Sequence, residues 1–448
     1  MRFLAFFAAA FALSVPMVSF AQKTPKFPVE KYTLENGLQV VLSQDKTLPI
    51  VGVVVAYHVG SRNEVKTRTG FAHLFEHLMF QGSANVPKAG HFKFIENAGG
   101  EFQGTTRSEI TTYEDQVPAE KLPLALWLEA DRMKSLAVNA TNFKNQKDVV
   151  KEEKRLRLDN VAYALANAKL QSLSYTNFSN QHLPIGSMED LDAVDLAYVQ
   201  SFYKAYYKPN NAVLVVTGDF DIPVVKDLII KHFGSIAKGE DPPKTDTTEP
   251  AQVKQRSATV TDPFATVPGI FMAWEAPGIK SPDMEPTELL MQMVFAQDAK
   301  RAAAEIGAGE NWILSISAGL DAQTGPSRAL LSLIHRPDVK RKTLVDEVFV
   351  QLDRVKEELP SKEEVENVKR EFLAAKYRSD VEPLVQRALG LAEYSLQYGD
   401  PSEYYKSFER YAAVTPEQIQ AVAKKYFKKE SSSILYVRGK DQKEEDEE

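Results

Sequence analysis

Apolar positions follow two rhythms along this chain. Stretches such as 49 to 61, PIVGVVVAYHVGS, and 267 to 278, VPGIFMAWEAPG, are near-continuous runs of Val, Ile, Phe and Ala that read as strands. Others space their apolar residues three and four apart, which predicts helices. One unit combines both rhythms and occurs twice. AVDLAYVQSFYKAYYKPNNAVLVV, from 193 to 216, matches AVTPEQIQAVAKKYFKKESSSILYV, from 413 to 437, at a constant offset of 220 residues. Ala193, Val194, Gln200, Lys204, Tyr206 and Lys208 meet identical residues at 413, 414, 420, 424, 426 and 428. Each copy opens on a helix start, Asp195 in one and Thr415-Pro416 in the other, and runs into a strand. Two such copies predict two homologous halves.

Composition and punctuation then set the boundaries. At 448 residues, with 44% apolar and 26% charged, the chain can fill more than one core and is neither disordered nor fibrous. Residues 1–21 carry one charge, Arg2, then an apolar run broken by Pro16 and ending in small residues, which predicts a cleaved secretory signal rather than a membrane anchor. The expected organisation is a first half at 28–235, a linker at 236–256 rich in Pro, Thr and charge, a second half at 257–440, and an acidic tail at 441–448. The mature chain is expected to have no membrane span, and export without disulfides suits a bacterial periplasm. A net charge of −7 with dispersed Lys and Arg argues against a nucleic-acid partner. The absence of cysteine removes thiolate ligands and a Cys nucleophile.

Against this background FAHLFEHLMF, from 71 to 80, is anomalous. His73, Glu76 and His77 sit at i, i+3 and i+4 and project from one sector of a helix that is otherwise apolar. Three polar groups so placed cost several kcal/mol unless something satisfies them. A metal would. Two neutral imidazoles one turn apart can both ligate Zn²⁺, and the intervening Glu can act on a water; this is the inverted H-x-x-E-H pattern of zinc peptidases. The matching helix of the second half, ELLMQMVF, has Glu288, Met291 and Gln292 at these positions, so the helix does not need the trio in order to fold. A third ligand is required, and KDVVKEEKRLRLDN, from 147 to 160, offers Glu152 or Glu153.

With a Glu about 76 residues beyond the motif, and with HVGSRNE, ENAGGEFQGTTRSEITTYEDQVP, LEADRM and AVLVVTGDFD around it, the chain resembles the pitrilysin family of zinc endopeptidases, which includes the mitochondrial processing peptidases. The resemblance implies an α+β fold of two homologous halves, each a mainly antiparallel sheet packed with helices and able to form a clamshell. It implies one Zn²⁺ per chain on His73, His77 and Glu153, with Glu76 as general base and then proton donor to the leaving amine. It further implies that peptide substrate is added as a β-strand beside the segment 99 to 104, which brings in Gly100, Phe102, Gln103 and Gly104, although the family usually has Asn where this chain has Gln103. Single-chain members also resemble one another in an Arg and a Tyr seven residues apart in the second half. KRAAAEIGAGENWILSISAGL has no such pair, so a homologous subunit is expected to supply it in a heterodimer, a homodimer being the other arrangement; Arg301 or Arg328 are the alternatives within the chain. His182 is expected to orient a loop, Arg132 to form a structural ion pair, and His58 and His91 to be ordinary polar residues. The competing function is a non-catalytic peptide-binding or structural subunit of the same fold.

Overall fold

A computed structural model describes residues 27–307 and 309–442. The expected signal segment lies outside them, as does all of the acidic tail except Asp441 and Gln442. Among the described residues eleven strands form two sheets: β1 Glu30–Thr33, β2 Gln39–Gln44, β3 Ile50–Tyr57, β4 Glu101–Thr106, β5 Thr111–Pro118 and β6 Ala212–Gly218 in the first, then β7 Arg256–Thr261, β8 Gly269–Ala276, β9 Ile313–Asp321, β10 Ser327–His335 and β11 Ser432–Arg438 in the second. The first sheet is ordered β1-β2-β6-β3-β5-β4 and the second β7-β11-β8-β10-β9. Without β1 the two orders are the same connectivity, and each contains one parallel pair, β2 with β6 and β7 with β11, among antiparallel neighbours. The fold is α+β, in two like halves.

The central strands are buried from end to end. In β3 every residue after Ile50 is inaccessible, because both faces of the sheet are covered; this explains a run of β-branched residues in place of alternation. One face packs on helices of its own half. The other face is covered by a helix from the opposite half. Leu384–Tyr398, in the second half, lays Ala388, Leu389, Leu391 and Ala392 against Val41, Val54, Val213 and Val215 of the first sheet. Reciprocally, α5, which we assign to Ala164–Ser174, lays Ala166 and Leu170 against Phe271, Ala273, Leu435 and Val437 of the second sheet. The division at 236–256 therefore separates the halves along the sequence but not in their packing. Each exchanged helix is preceded by one turn of π-helix, Arg155–Asp159 and Tyr377–Val381, where the chain leaves its own half.

Residues 237 to 255 carry no regular structure, yet they are tied down: Thr245 accepts from Asn63, and Glu249 accepts from the Thr176, Asn177 and Asn180 side of the first half. No helix among the described residues is long and apolar enough to cross a membrane.

Candidate metal centre and active site

The site is built from a short helix, a long one and an edge strand. The short helix, α1, Phe71–Leu78, follows Gly70, whose φ of 91° is in the left-handed region that favours glycine. Phe71, Ala72, Leu74, Phe75 and Leu78 are buried in the first core. That apolar packing leaves His73, Glu76 and His77 on the side of the helix away from the core. The long helix, after α2 (Gly90–Asn97) and α3 (Leu122–Ser135), is α4, Ala140–Lys154, capped by the Asn139 side chain accepting from Asn142 N–H at 3.0 Å. Phe143, Gln146 and Val150 form its buried stripe, and the next member of that phase is Glu153. Glu152 points to solvent and pairs with Arg155 at 3.0 Å. Asn142 ties α4 to the segment just after α1 by donating to the carbonyl of Gln81.

Three side-chain atoms converge. His73 Nε2 and His77 Nε2 lie 3.3 Å apart, and Glu153 Oε2 lies 3.6 Å from the first and 3.0 Å from the second. A tetrahedral ion with bonds of about 2.0–2.1 Å needs ligand atoms separated by roughly 3.3 Å, so this nitrogen and oxygen set fits Zn²⁺. Burial, followed by the charge of His77, pushes His73 down to about 4, which leaves it in the neutral form a metal needs. Glu153 is held below the usual carboxylate range, chiefly by its hydrogen bond with His77. Its other oxygen receives Arg157 at 2.9 Å. His73 Nδ1 is buried with no hydrogen-bond partner among the described residues, so no neighbour fixes its ring from behind.

Glu76 stands apart from the three. Its Oε2 accepts from Thr106 Oγ1 at 2.6 Å, which draws it toward β4, and burial raises its pKa. Among the described residues β4 pairs only with β5, so its other edge carries no paired strand. A Cβ on Gly104 would lie 2.9 Å from Glu76 Cγ, so the glycine is what lets the strand pass beside the carboxylate. Gln103 faces solvent, whereas the Phe102 ring turns inward and stacks on Phe92 at 4.6 Å. A Cβ on Gly100 would meet the Gln116 carbonyl at 2.5 Å. The structure thus brings His73, His77 and Glu153 together and sets Glu76 beside the Gly104 and Thr106 end of β4.

Other expected residues fall elsewhere. Arg132 is buried, bonds Glu129 and lies over the Phe80 and Tyr113 rings. Arg301 is engaged with Glu305, and Arg328 with Asp321 and Gln171. His91, expected to be an ordinary polar residue, is instead buried with Asp115 at 3.0 Å beside Glu129. Thr106, Arg157 and Glu64, whose carboxylate accepts from the Gly70 and Ala72 amides, were not singled out from the sequence. Glu64 and Thr106 meet their partners across loops, so their separation along the chain carries no signal of contact, whereas Arg157 lies one helical turn beyond Glu153.

Comparison with known proteins places this geometry. Residues 39–187 match the family described as Insulinase (Peptidase family M16), and residues 193–372 match that described as Peptidase M16 inactive domain. The chain is 28% identical over 425 residues to the zinc protease PqqE of Helicobacter pylori, covering 91% of this chain and 92% of that one. A crystal structure of a protease from Helicobacter pylori superposes with a TM-score of 0.87 at 26% identity, over 92% of this chain and all of that one. The periplasmic protease PqqL of Escherichia coli shares the fold, with a TM-score of 0.75 at 19% identity, over 92% of this chain but 48% of its own.

Proposed function

The chain belongs to peptidase family M16, and from that premise we propose that it is an exported zinc endopeptidase hydrolysing peptides or unfolded segments. The observation that carries this is the convergence of His73, His77 and Glu153 at metal-ligand spacing with Glu76 beside them. When bound, one Zn²⁺ supplies Lewis acidity and an acidified water. Glu76 takes the proton at its carboxylate and returns it to the leaving amine; its raised pKa suits a group that must hold a proton between two steps. The free edge of β4 accepts an extended peptide as an added strand, along the segment that carries Gly100, Phe102, Gln103 and Gly104. Gly104 keeps that backbone close to Glu76.

Partnership with a homologous subunit is part of the same proposal. The chain spans about half of PqqL, which leaves room for a second unit of comparable size facing β4. Neither Arg301 nor Arg328 is free to serve the site, since both are engaged within the second half and α5. The partner supplies the substrate-orienting Arg and Tyr; a second copy of this chain is the other candidate. Export rests on the character of residues 1–21, supported by the periplasmic location stated for PqqL. The test is zinc content and peptide cleavage of the purified chain, with and without a homologous subunit. One zinc per chain with cleavage abolished in Glu76→Gln supports the reading; a wild-type chain that binds no zinc removes it.

A further inference from the structure

We infer that Glu64 and His182 form a clamp on the first turn of α1 that sets the position of His73 and Glu76, a positioning role that rests on the zinc reading above. The first amides of any helix lack partners within it, and the N-cap residue of α1 is Gly70, which has no side chain to cap them. Glu64 does so from six residues upstream. Its side chain is fully buried; Oε2 accepts from the Gly70 N–H at 2.9 Å and Oε1 from the Ala72 N–H at 2.9 Å. The negative charge also sits where the helix dipole favours it.

Glu64 is itself held. His182 Nε2 lies 3.0 Å from Glu64 Oε2, while His182 Nδ1 lies 3.1 Å from the Phe178 carbonyl and the ring stacks on Phe178. Nδ1 donates to the Phe178 carbonyl, and Nε2 shares a proton with Glu64 Oε2, so both ring nitrogens are engaged. The loop carrying His182 closes on α1 without space for a side chain. A Cβ on Gly70 would lie 2.9 Å from the Ile185 carbonyl, and one on Gly186 would lie 2.4 Å from Gly70 N. Asp190 completes the contact, accepting from Thr69 N–H at 3.1 Å and Thr69 Oγ1 at 2.5 Å.

Two further facts give the clamp a role in the site. His73 follows directly on Ala72, and among the described residues its Nδ1 has no hydrogen-bond partner, so the ring's direction depends on the backbone that Glu64 holds. The same loop is anchored across the halves. Tyr175 OH and Arg62 Nη2 both donate to the Pro326 carbonyl in the turn between β9 and β10, and Asn180 donates to the Thr247 carbonyl. The second half thereby reaches the first turn of α1 through one strap.

The experiment uses the full chain with His182→Ala, His182→Gln and Glu64→Gln. Zinc affinity is measured by chelator competition, the ligand field from the visible spectrum of the Co²⁺-loaded protein, kcat and KM on an unfolded peptide, and amide exchange of the 65–80 segment by mass spectrometry. His182→Ala should weaken zinc binding by about 10-fold, as loss of outer support for a ligand does, shift the Co²⁺ spectrum, and lower kcat with little change in KM. Glu64→Gln should move each readout in the same direction. His182→Gln, which can place an amide nitrogen near the Nε2 position, should recover at least half of the zinc affinity. Wild-type affinity and spectrum in folded His182→Ala and Glu64→Gln would overturn the clamp, as would a His182→Gln variant no better than the alanine. A wild-type chain binding no zinc would sink the metal reading alone; the clamp would then be decided by α1 amide exchange, faster in His182→Ala if it holds and unchanged if it does not.

Discussion

Gly104→Ala isolates the close approach between β4 and the general base. The added methyl carbon would lie 2.9 Å from Glu76 Cγ, 3.1 Å from Phe80 Cε2 and 3.4 Å from Glu76 Oε1. Carbon pairs settle at about 3.5–4.0 Å, so something must move by roughly half an ångström. Phe80 is packed among Phe92, Phe102 and His91 and has little room. Glu76 is tethered to Thr106 but is partly exposed, so it takes most of the displacement. Overpacking costs about 1–3 kcal/mol of stability. Misplacing a catalytic group by a fraction of an ångström to one ångström costs about 10- to 100-fold in rate, or ~1.4–2.7 kcal/mol of barrier. Zinc should stay bound, because none of those three contacts is with His73, His77 or Glu153. Gly99→Ala is the control: φ is 75°, so the change is strained, but nothing lies within 4 Å of the new carbon and turnover should hold. The assay is kcat on an unfolded peptide beside zinc content and thermal stability. Full kcat in Gly104→Ala, or loss of zinc, would refute the reasoning.

Other outcomes follow from the same geometry. Glu153→Gln should lose most bound zinc while Glu152→Gln keeps it, as metal analysis of the two will show; equal retention removes Glu153 from the site. Glu76→Gln should retain zinc and lose at least ~100-fold in turnover while still binding peptide, and loss of metal would show that its role is misassigned. Burial raises Asp115 to about 6, so its neutral form is favoured on folding and the stability this contributes is present at low pH and lost as pH rises through that value. Asp115→Asn avoids charging the group, so its melting temperature relative to wild type should rise between pH 5 and pH 7.5; a constant difference counts against the shift.

The trio was legible because no packing argument accounts for His73, Glu76 and His77 in so apolar a helix. The halves were legible because the repeat at 193 and 413 marks equivalent strands, β6 and β11, in sheets of matching order. The choice between Glu152 and Glu153 came from resemblance, although the spacing of Phe143, Gln146 and Val150 already selects the face that carries Glu153. Thr106 and Glu64 were not legible, since each acts across a loop whose return path is set by tertiary packing. Nor was the exchange of helices. An amphipathic pattern at 164–174 or 384–398 says that one face is buried, not which sheet it covers.

That exchange makes the connection between the halves chemically redundant. A single peptide-bond cut between residues 237 and 255 would leave two fragments, each with a helix seated on the other's sheet, Ala166 and Leu170 in one direction and Leu389 and Leu391 in the other. The nicked protein would stay one particle and melt in one transition. Neither fragment made alone would have both faces of its sheet covered, so the halves are complementary parts of a single folding unit rather than beads on a string.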